Sequence, residues 1–345
     1  MHSPRRSRNR TATAAGVLTV TSAAAALFGV LMAPDWSWTA AAAIGIASNL
    51  LIGGPIVLWV LFGLETAFGR WMKRLPLLAY LPINAATMGT LLLAGHLLAF
   101  HLLWKPPGGF IDDPVLPWSL AFSVCLVVLV SIAVELRRLI GPGVFGAVLV
   151  GRYRYPRAER RVFLLMDIVE STALAERLGP ERFMAFLDRW IHAMTEPLLA
   201  SGGRIYRYVG DEAILTWEWR GDAVSRALRF ALDAGAAVAA EADRWQREFG
   251  CVPHMRIALH GGPVIAGEIG DLKREIAFLG DTLNTAARIA GEARKHDGLL
   301  LASAEALAGA VLPAGLVRRD LGPVVLRGKA EPVALAELTS GRPSP

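Results

Sequence analysis

With 345 residues, 54% of them hydrophobic, and a mean hydropathy of +0.42, the chain is too apolar for an ordinary soluble protein and long enough for two domains. Its formal charge of +6 is modest, and the basic residues cluster beside apolar runs, which points to membrane topology and away from nucleic-acid binding. Two cysteines, Cys125 and Cys251, exclude a disulfide framework.

Taken in chain order, residues 11–33, 38–64, 77–103 and 115–134 form four apolar stretches. Each reaches the roughly 20 residues that cross a bilayer. Residues 1–140 therefore read as an α-helical transmembrane bundle of four spans. Arg5, Arg6, Arg8 and Arg10 precede the first span, Arg70, Lys73 and Arg74 follow the second, and Arg137 and Arg138 follow the fourth. Asp35, Asp112 and Asp113 mark the other connections. The positive-inside rule then predicts a multi-pass protein of the cell (inner) membrane, in contact with lipid, with both termini cytoplasmic. Trp36, Trp38, Trp104 and Trp118 fall near the outer interface. A cleaved leader remains the alternative reading of the first span. His96 and His101 lie at membrane depth. Haem or metal sensing is one reading, and interhelical hydrogen bonding or an interfacial position is the favoured one. Asn49 and Pro55 read as a packing contact and a kink.

Residues 141–160 form a linker, broken at Gly141, Pro142 and Gly143 and too short for a relay domain. From 161 to 340 strand and helix patterns alternate. Residues 161–169 are a strand, and Ser171 or Thr172 caps the helix that follows. A second helix covers 181–200. Strands 204–209 and 213–217 make a hairpin around Gly210 and Asp211. Then come an Ala-rich helix over 222–249, strands over 255–260, 263–268 and 275–279, a helix over 282–294, and strands near Leu299 and Val324. The β-α-β-β-α-β order predicts a ferredoxin-like α+β domain.

Asp167 ends a strand and Asp211 sits in the adjacent hairpin turn, so both carboxylates emerge at one sheet edge. Hard oxygen donors of this kind suit Mg²⁺ or Mn²⁺. The helix N-terminus at Ser171 and Thr172 suits phosphate. Asn284 and Arg288, four apart on one helix face, can position a ribose and neutralise phosphate charge. The set fits two-metal displacement at phosphorus. Taken singly, each piece also reads as a turn, a cap or a solvated face. Glu212 reads as exposed, with a third metal ligand as the alternative. Trp217 and Trp219 read as a strand face.

The stretches 163–172, 202–217 and 278–288 resemble the class III nucleotide cyclase catalytic domain, over roughly residues 160–338. The resemblance implies a palm-like domain working as a head-to-tail homodimer with sites at the interface. It implies that Asp167, Asp211 and the Ile168 carbonyl hold two metal ions per site. Asn284 would orient the ribose, Arg288 would stabilise the transition state, and Lys329, with Arg327 as a nearby alternative, would meet the triphosphate. Ser171, Thr172, Gly210, Arg207 and Ala277 complete the implied substrate-binding set. The implied reaction converts ATP to 3′,5′-cyclic AMP and pyrophosphate. Arg207 stands where adenylyl cyclases have Lys, and Ala277 where they have Asp or Thr. The Glu and small polar residue of guanylyl cyclases are absent there too. ATP is the default substrate. A guanylyl or relaxed-specificity cyclase and a catalytically weak nucleotide-binding module stay open as alternatives. Glu170 replaces a common Gly. A diguanylate cyclase is disfavoured because the hairpin reads Val-Gly-Asp-Glu-Ala, and a transporter because no run of intramembrane charge occurs.

Overall fold

The computed structural model describes residues 4–63, 66–72, 74–103, 110, 111, 113–140, 146, 147, 150–271, 274–296 and 299–340. Lys73, Trp104, Asp112 and the break at 141–143 lie outside the described residues. The chain divides into two compact units, Met1–Ile140 and Gly141–Pro345.

The first unit holds α1 (Pro4–Met32), α2 (Trp38–Phe62), α3 (Ala67–Met72), α4 (Leu77–Leu103) and α5 (Leu116–Ile140). Thr11–Met32, Trp38–Phe62, Leu78–Leu103 and Leu116–Val134 are long and apolar enough to cross a membrane, close to the expected spans. The short α3 has no counterpart in the sequence reading. Glycines set the helix approach: a Cβ on Gly29 or Gly45 would overlap the backbone of Ala41 or Ala25 on the facing helix. Asn49 Nδ2 donates to the Thr21 and Ser22 hydroxyls, each at 3.0 Å, which is the expected packing contact.

The second unit runs β1 (Arg157–Ile168), α6 (Ser171–Leu178), α7 (Pro180–Ser201), β2 (Arg204–Val209), β3 (Glu212–Glu218), α8 (Ala223–Ala239), α9 (Ala242–Phe249), β4 (Met255–Ile269), β5 (Glu275–Leu279), α10 (Asp281–Ala293), β6 (Leu300–Ser303), α11 (Ala304–Leu307), β7 (Leu316–Val324) and β8 (Val333–Ser340). The strands form one sheet in the order β2-β3-β1-β4-β6-β8-β7, with β5 paired to β4. The antiparallel β2-β3-β1-β4 part is the expected ferredoxin-like core. β1 is apolar from Val162 to Met166 because both of its faces are covered there. Val162, Leu164, Met166 and Ile168 enter one core with Phe186, Trp190 and Trp245. Phe163 and Leu165 enter the other with Phe278, Ala286 and Ile289.

The second unit departs from the sequence reading at several points. β1 starts at Arg157, because Arg157 to Arg160 already pair with β4. β4 is one strand, not two: Gly261 and Gly262 lie within it, where any Cβ would overlap Trp219 or Thr282. The 222–249 helix is two helices, parted at Ala240 and Glu241, so that Trp245 and Phe249 turn onto Phe186 at ring distances of 5.2 Å. β8 has no counterpart in the sequence reading, and it is fixed by pairing with both β6 and β7.

Candidate active site

The register of the sheet assembles a carboxylate cluster. Met166 on β1 faces Ala213 on β3, and Asp167 faces Arg256 on β4. The end of β1 is therefore flanked by the β2–β3 turn, whose two central residues are Gly210 and Asp211. Gly210 has φ +63°, a left-handed backbone at the first central position that glycine adopts without strain and that matches the hairpin twist. Asp167 is half-buried, and its Oδ1 is buried without a hydrogen-bond partner. Arg256 and Arg294 reach only to 3.9 Å and 3.8 Å of its carboxylate. Burial pushes the Asp167 carboxyl above its usual range against the pull of those two arginines, and the nearby Asp211 adds to the rise. Glu212 is half-buried, not exposed as the sequence suggested. Burial, then Asp167 and Asp211, raises its carboxyl as well.

Three acidic groups thus share one end of the sheet, and one buried oxygen lacks a donor. Buried polar atoms are almost always satisfied. An unsatisfied carboxylate oxygen beside two further carboxylates fits a hard divalent cation. No cluster of three or more potential metal-ligating side chains is preformed among the described residues. The fit therefore rests on the orphaned Asp167 oxygen and the hard donor set. Ile168 is buried at the end of β1, and the amide of Val169 is held by the His254 carbonyl at 3.0 Å.

Glu170 follows with φ 56°, the one non-glycine residue with positive φ among the described residues. It is the N-cap of α6 and makes no side-chain capping bond. Ser171 and Thr172 are therefore first-turn residues, not caps. Their amides still belong to the helix N-terminus, where the first N–H groups have no intrahelical acceptor. A left-handed non-glycine residue between Asp167 and this terminus stores strain of about 1–3 kcal/mol.

The remaining expected residues gather elsewhere on the same unit. α10 buries Ala286, Ile289 and Ala293 and leaves Asn284 exposed and Arg288 half-buried. Lys329 donates to Asp281 at 2.9 Å. That bond holds Asp281 below the usual carboxylate range, helped by Thr285 and Arg288. A Cβ on Gly328 would lie 3.9 Å from Nη2 of Arg288, so Arg288 and Lys329 flank one place, whereas Arg327 is exposed. Arg207 is ion-paired with Glu275, and Ala277, two residues along β5, is buried.

The expected set is thus split within one chain. Arg294, just past the end of α10, reaches Asp167. Arg288 and Asn284 come earlier on the same helix, about 9 and 15 Å along an axis that rises 1.5 Å per residue. The structure unites Asp167, Asp211 and Glu212, and it unites Arg288, Lys329 and Asp281, but it does not bring the two groups together. Sequence reasoning misses Arg256, Arg294, Glu275 and Asp281. The strand register and the helix end create these contacts between residues far apart in the chain, which no local motif signals.

The family model for the adenylate and guanylate cyclase catalytic domain matches residues 155–333. Adenylate cyclase 2 of Rhizobium meliloti (strain 1021) is 40% identical over 228 residues, which is 66% of this chain and 62% of that protein. An uncharacterized protein of Mycobacterium tuberculosis (strain ATCC 25618 / H37Rv) is 32% identical over 184 residues, 52% of this chain and 32% of its own length. The chain thus spans less than two thirds of the length of these curated relatives. The solved structure of a bacterial light-regulated adenylyl cyclase superposes with a TM-score of 0.55 at 20% identity, covering 66% of each chain, which is a likeness of fold.

Proposed function

Starting from a chain that belongs to the adenylate and guanylate cyclase catalytic-domain family, we propose that it is a membrane-anchored homodimeric adenylate cyclase. The observation that carries the reading is the buried, unpartnered oxygen of Asp167 beside Asp211 and Glu212. Asp167, Asp211 and the Ile168 carbonyl would hold divalent ions, Mg²⁺ or Mn²⁺, which would supply Lewis-acid activation of the 3′-hydroxyl and neutralise phosphate charge. The amides of Ser171 and Thr172 at the start of α6, with Gly210 allowing close approach of the hairpin turn, cradle phosphate oxygens. Asn284 orients the ribose. Arg288 meets the charge that develops at the α-phosphate, and Lys329 meets the triphosphate. The ribose 3′-oxygen forms a bond to the α-phosphorus, the bond from that phosphorus to the pyrophosphate oxygen breaks, and the hydroxyl proton is lost.

The homodimer is supported by the split site and by an apolar surface around it. Ile205, Tyr208 and Val209 on β2, with Ile265, Ile269 and Leu279 on β4 and β5, are exposed large hydrophobic side chains, as an interface patch would be. Two chains placed head to tail set the carboxylates of one against Asn284 and Arg288 of the other. The membrane reading is supported by four helices long and apolar enough to span, and the basic connections favour cytoplasmic termini.

ATP is the proposed substrate. GTP is the second reading, favoured by Glu275: its carboxylate stands at the Arg207 guanidinium, two residues from the apolar Ala277, and a carboxylate accepts from the N–H groups of guanine. The test is the full chain in lipid nanodiscs, incubated with ATP or GTP and Mn²⁺, with products identified by mass spectrometry and Asp211→Asn as control. Cyclic AMP lost in the variant supports the proposal. Dominant cyclic GMP replaces the substrate, and no cyclic product from a dimeric sample leaves a nucleotide-binding signalling module.

A further inference from the structure

The first unit forms an open-sided cavity of about 380 Å³ between α1, α2, α4 and α5, within the range of small-molecule sites. Its walls are mostly apolar, yet Thr21, Asn49, His96 and Ser123 line it and are all buried. Asp35 and Asp113 line the end at which α5 begins, not the end from which the chain continues to β1.

Polar groups buried in an apolar bundle are costly unless paired. Asn49, Thr21 and Ser22 satisfy one another. His96 is different. Its Nδ1 lies 2.9 Å from the Leu92 carbonyl oxygen. A carbonyl only accepts, so Nδ1 carries the proton, and in that tautomer Nε2 is left as an acceptor. The donor facing it is the Ser123 hydroxyl at 3.5 Å, beyond the distance of a good hydrogen bond. His96 is only 4% exposed. A strong acceptor and a hydroxyl thus stand at near-contact on the wall of an apolar cavity, where a polar atom of a ligand would meet both.

The charges fix what that atom belongs to. The acidic pair at the cavity end, Asp35 and Asp113, disfavours an anionic head group. A cationic head group would be drawn to that acidic end, away from His96 and Ser123, and would leave their acceptor and hydroxyl unused. A neutral hydroxyl satisfies both partners, donating to Nε2 and accepting from Ser123.

We propose that this cavity binds a small neutral amphiphile, an apolar body carrying one hydroxyl group held by His96 and Ser123. α5 supplies Ser119, Ser123 and Val130 to the wall and is the helix that continues toward β1, so occupancy adjusts the catalytic half. That last clause rests on the cyclase reading, and the binding itself does not.

The test uses the full chain in lipid nanodiscs and a 1-decanol analogue bearing a mid-chain diazirine. After photolysis, labelled residues are mapped by mass spectrometry, with 1-decanol as competitor. Saturable labelling on cavity-facing residues of α2 and α5 is expected. It should weaken about fivefold in His96→Phe, the share of one buried hydrogen bond. His96→Gln, which keeps an acceptor, should restore it, and Ser119→Phe, which puts a ring into the cavity one helical turn from Ser123, should remove it. Decyl sulfate should compete poorly. Non-saturable labelling of outward-facing Leu27 and Leu129 would overturn the site. Cavity labelling indifferent to His96→Phe would mean an acyl chain held by packing alone and would overturn the hydroxyl assignment. Cyclic nucleotide output that responds to 1-decanol in the native chain but not in Ser119→Phe supports the coupling, and output unchanged despite binding removes it. A chain that binds the probe yet makes no cyclic nucleotide under any condition refutes the cyclase reading alone.

Discussion

At the scale of single residues, Asp167 holds the two sides of the site in tension. Burial raises its carboxyl above the unfolded value. Between those two values the folded chain binds the proton more tightly than the unfolded one, so metal-free stability falls as pH rises through that window and the penalty is complete above it. Asp167→Asn removes a buried charge while keeping its shape. In chelator at neutral pH this variant should melt at or above the native temperature, with a flatter pH dependence. It should lose cyclase activity by at least about a hundredfold, as expected when a charge-stabilising group is removed. A variant that melts lower and keeps its activity would show Asp167 to be structural. The sequence placed this aspartate at a strand end, and it placed Asp211 in a hairpin turn. It misplaced Glu212, because half-burial there comes from the neighbouring β1 end, which lies more than forty residues away in the chain.

At the scale of elements, β1 is tied to the segment before it by a buried ionic cluster. Arg161 is 1% exposed. It donates to Glu159 at 2.7 Å and to the Tyr153 hydroxyl at 2.7 Å, and lies 4.8 Å over the Phe278 ring. Although burial opposes it, Arg161 and then Arg152 hold Glu159 below the usual carboxylate range. Arg161→Ala should destabilise the catalytic unit by about 3 kcal/mol, because Glu159 keeps only Arg152 as a close partner while the buried Tyr153 hydroxyl and the Phe278 ring lose the guanidinium packed on them. Denaturant unfolding measures this, and a change under about 1 kcal/mol would show the cluster to be solvated. The sequence gives no hint of this joint, since it reads as a basic-aromatic linker followed by a strand. The structure extends β1 back to Arg157 and so draws the linker's charges inside.

At the scale of the whole molecule, the division of the site along α10 makes a sharp prediction about assembly. Asp211→Asn and Arg288→Ala should each abolish activity. Co-expressed in equal amounts, they should recover about one quarter of native activity, since half the dimers would be mixed and each would hold one intact site of two. Recovery near zero, with mixed dimers confirmed by two affinity tags, would mean that each chain builds its own site. The apolar side chains around Ile205, Val209 and Leu279 are the surface that such a dimer would cover.

The sequence by itself determined the four apolar helices, the β-α-β-β-α-β order and the positions of the acidic, amide and basic residues. Each is a local property of periodicity, turn chemistry or spacing. Only the tertiary structure decided which of these residues meet. Arg256 reaches Asp167 through the β1–β4 register, Arg294 through the end of α10, and Glu275 faces Arg207 across elements more than sixty residues apart. The cavity beside His96 is likewise written on four helices at once. Contacts of this kind depend on how layers pack against a shared core. A chain read one residue at a time carries the groups but not the distances between them.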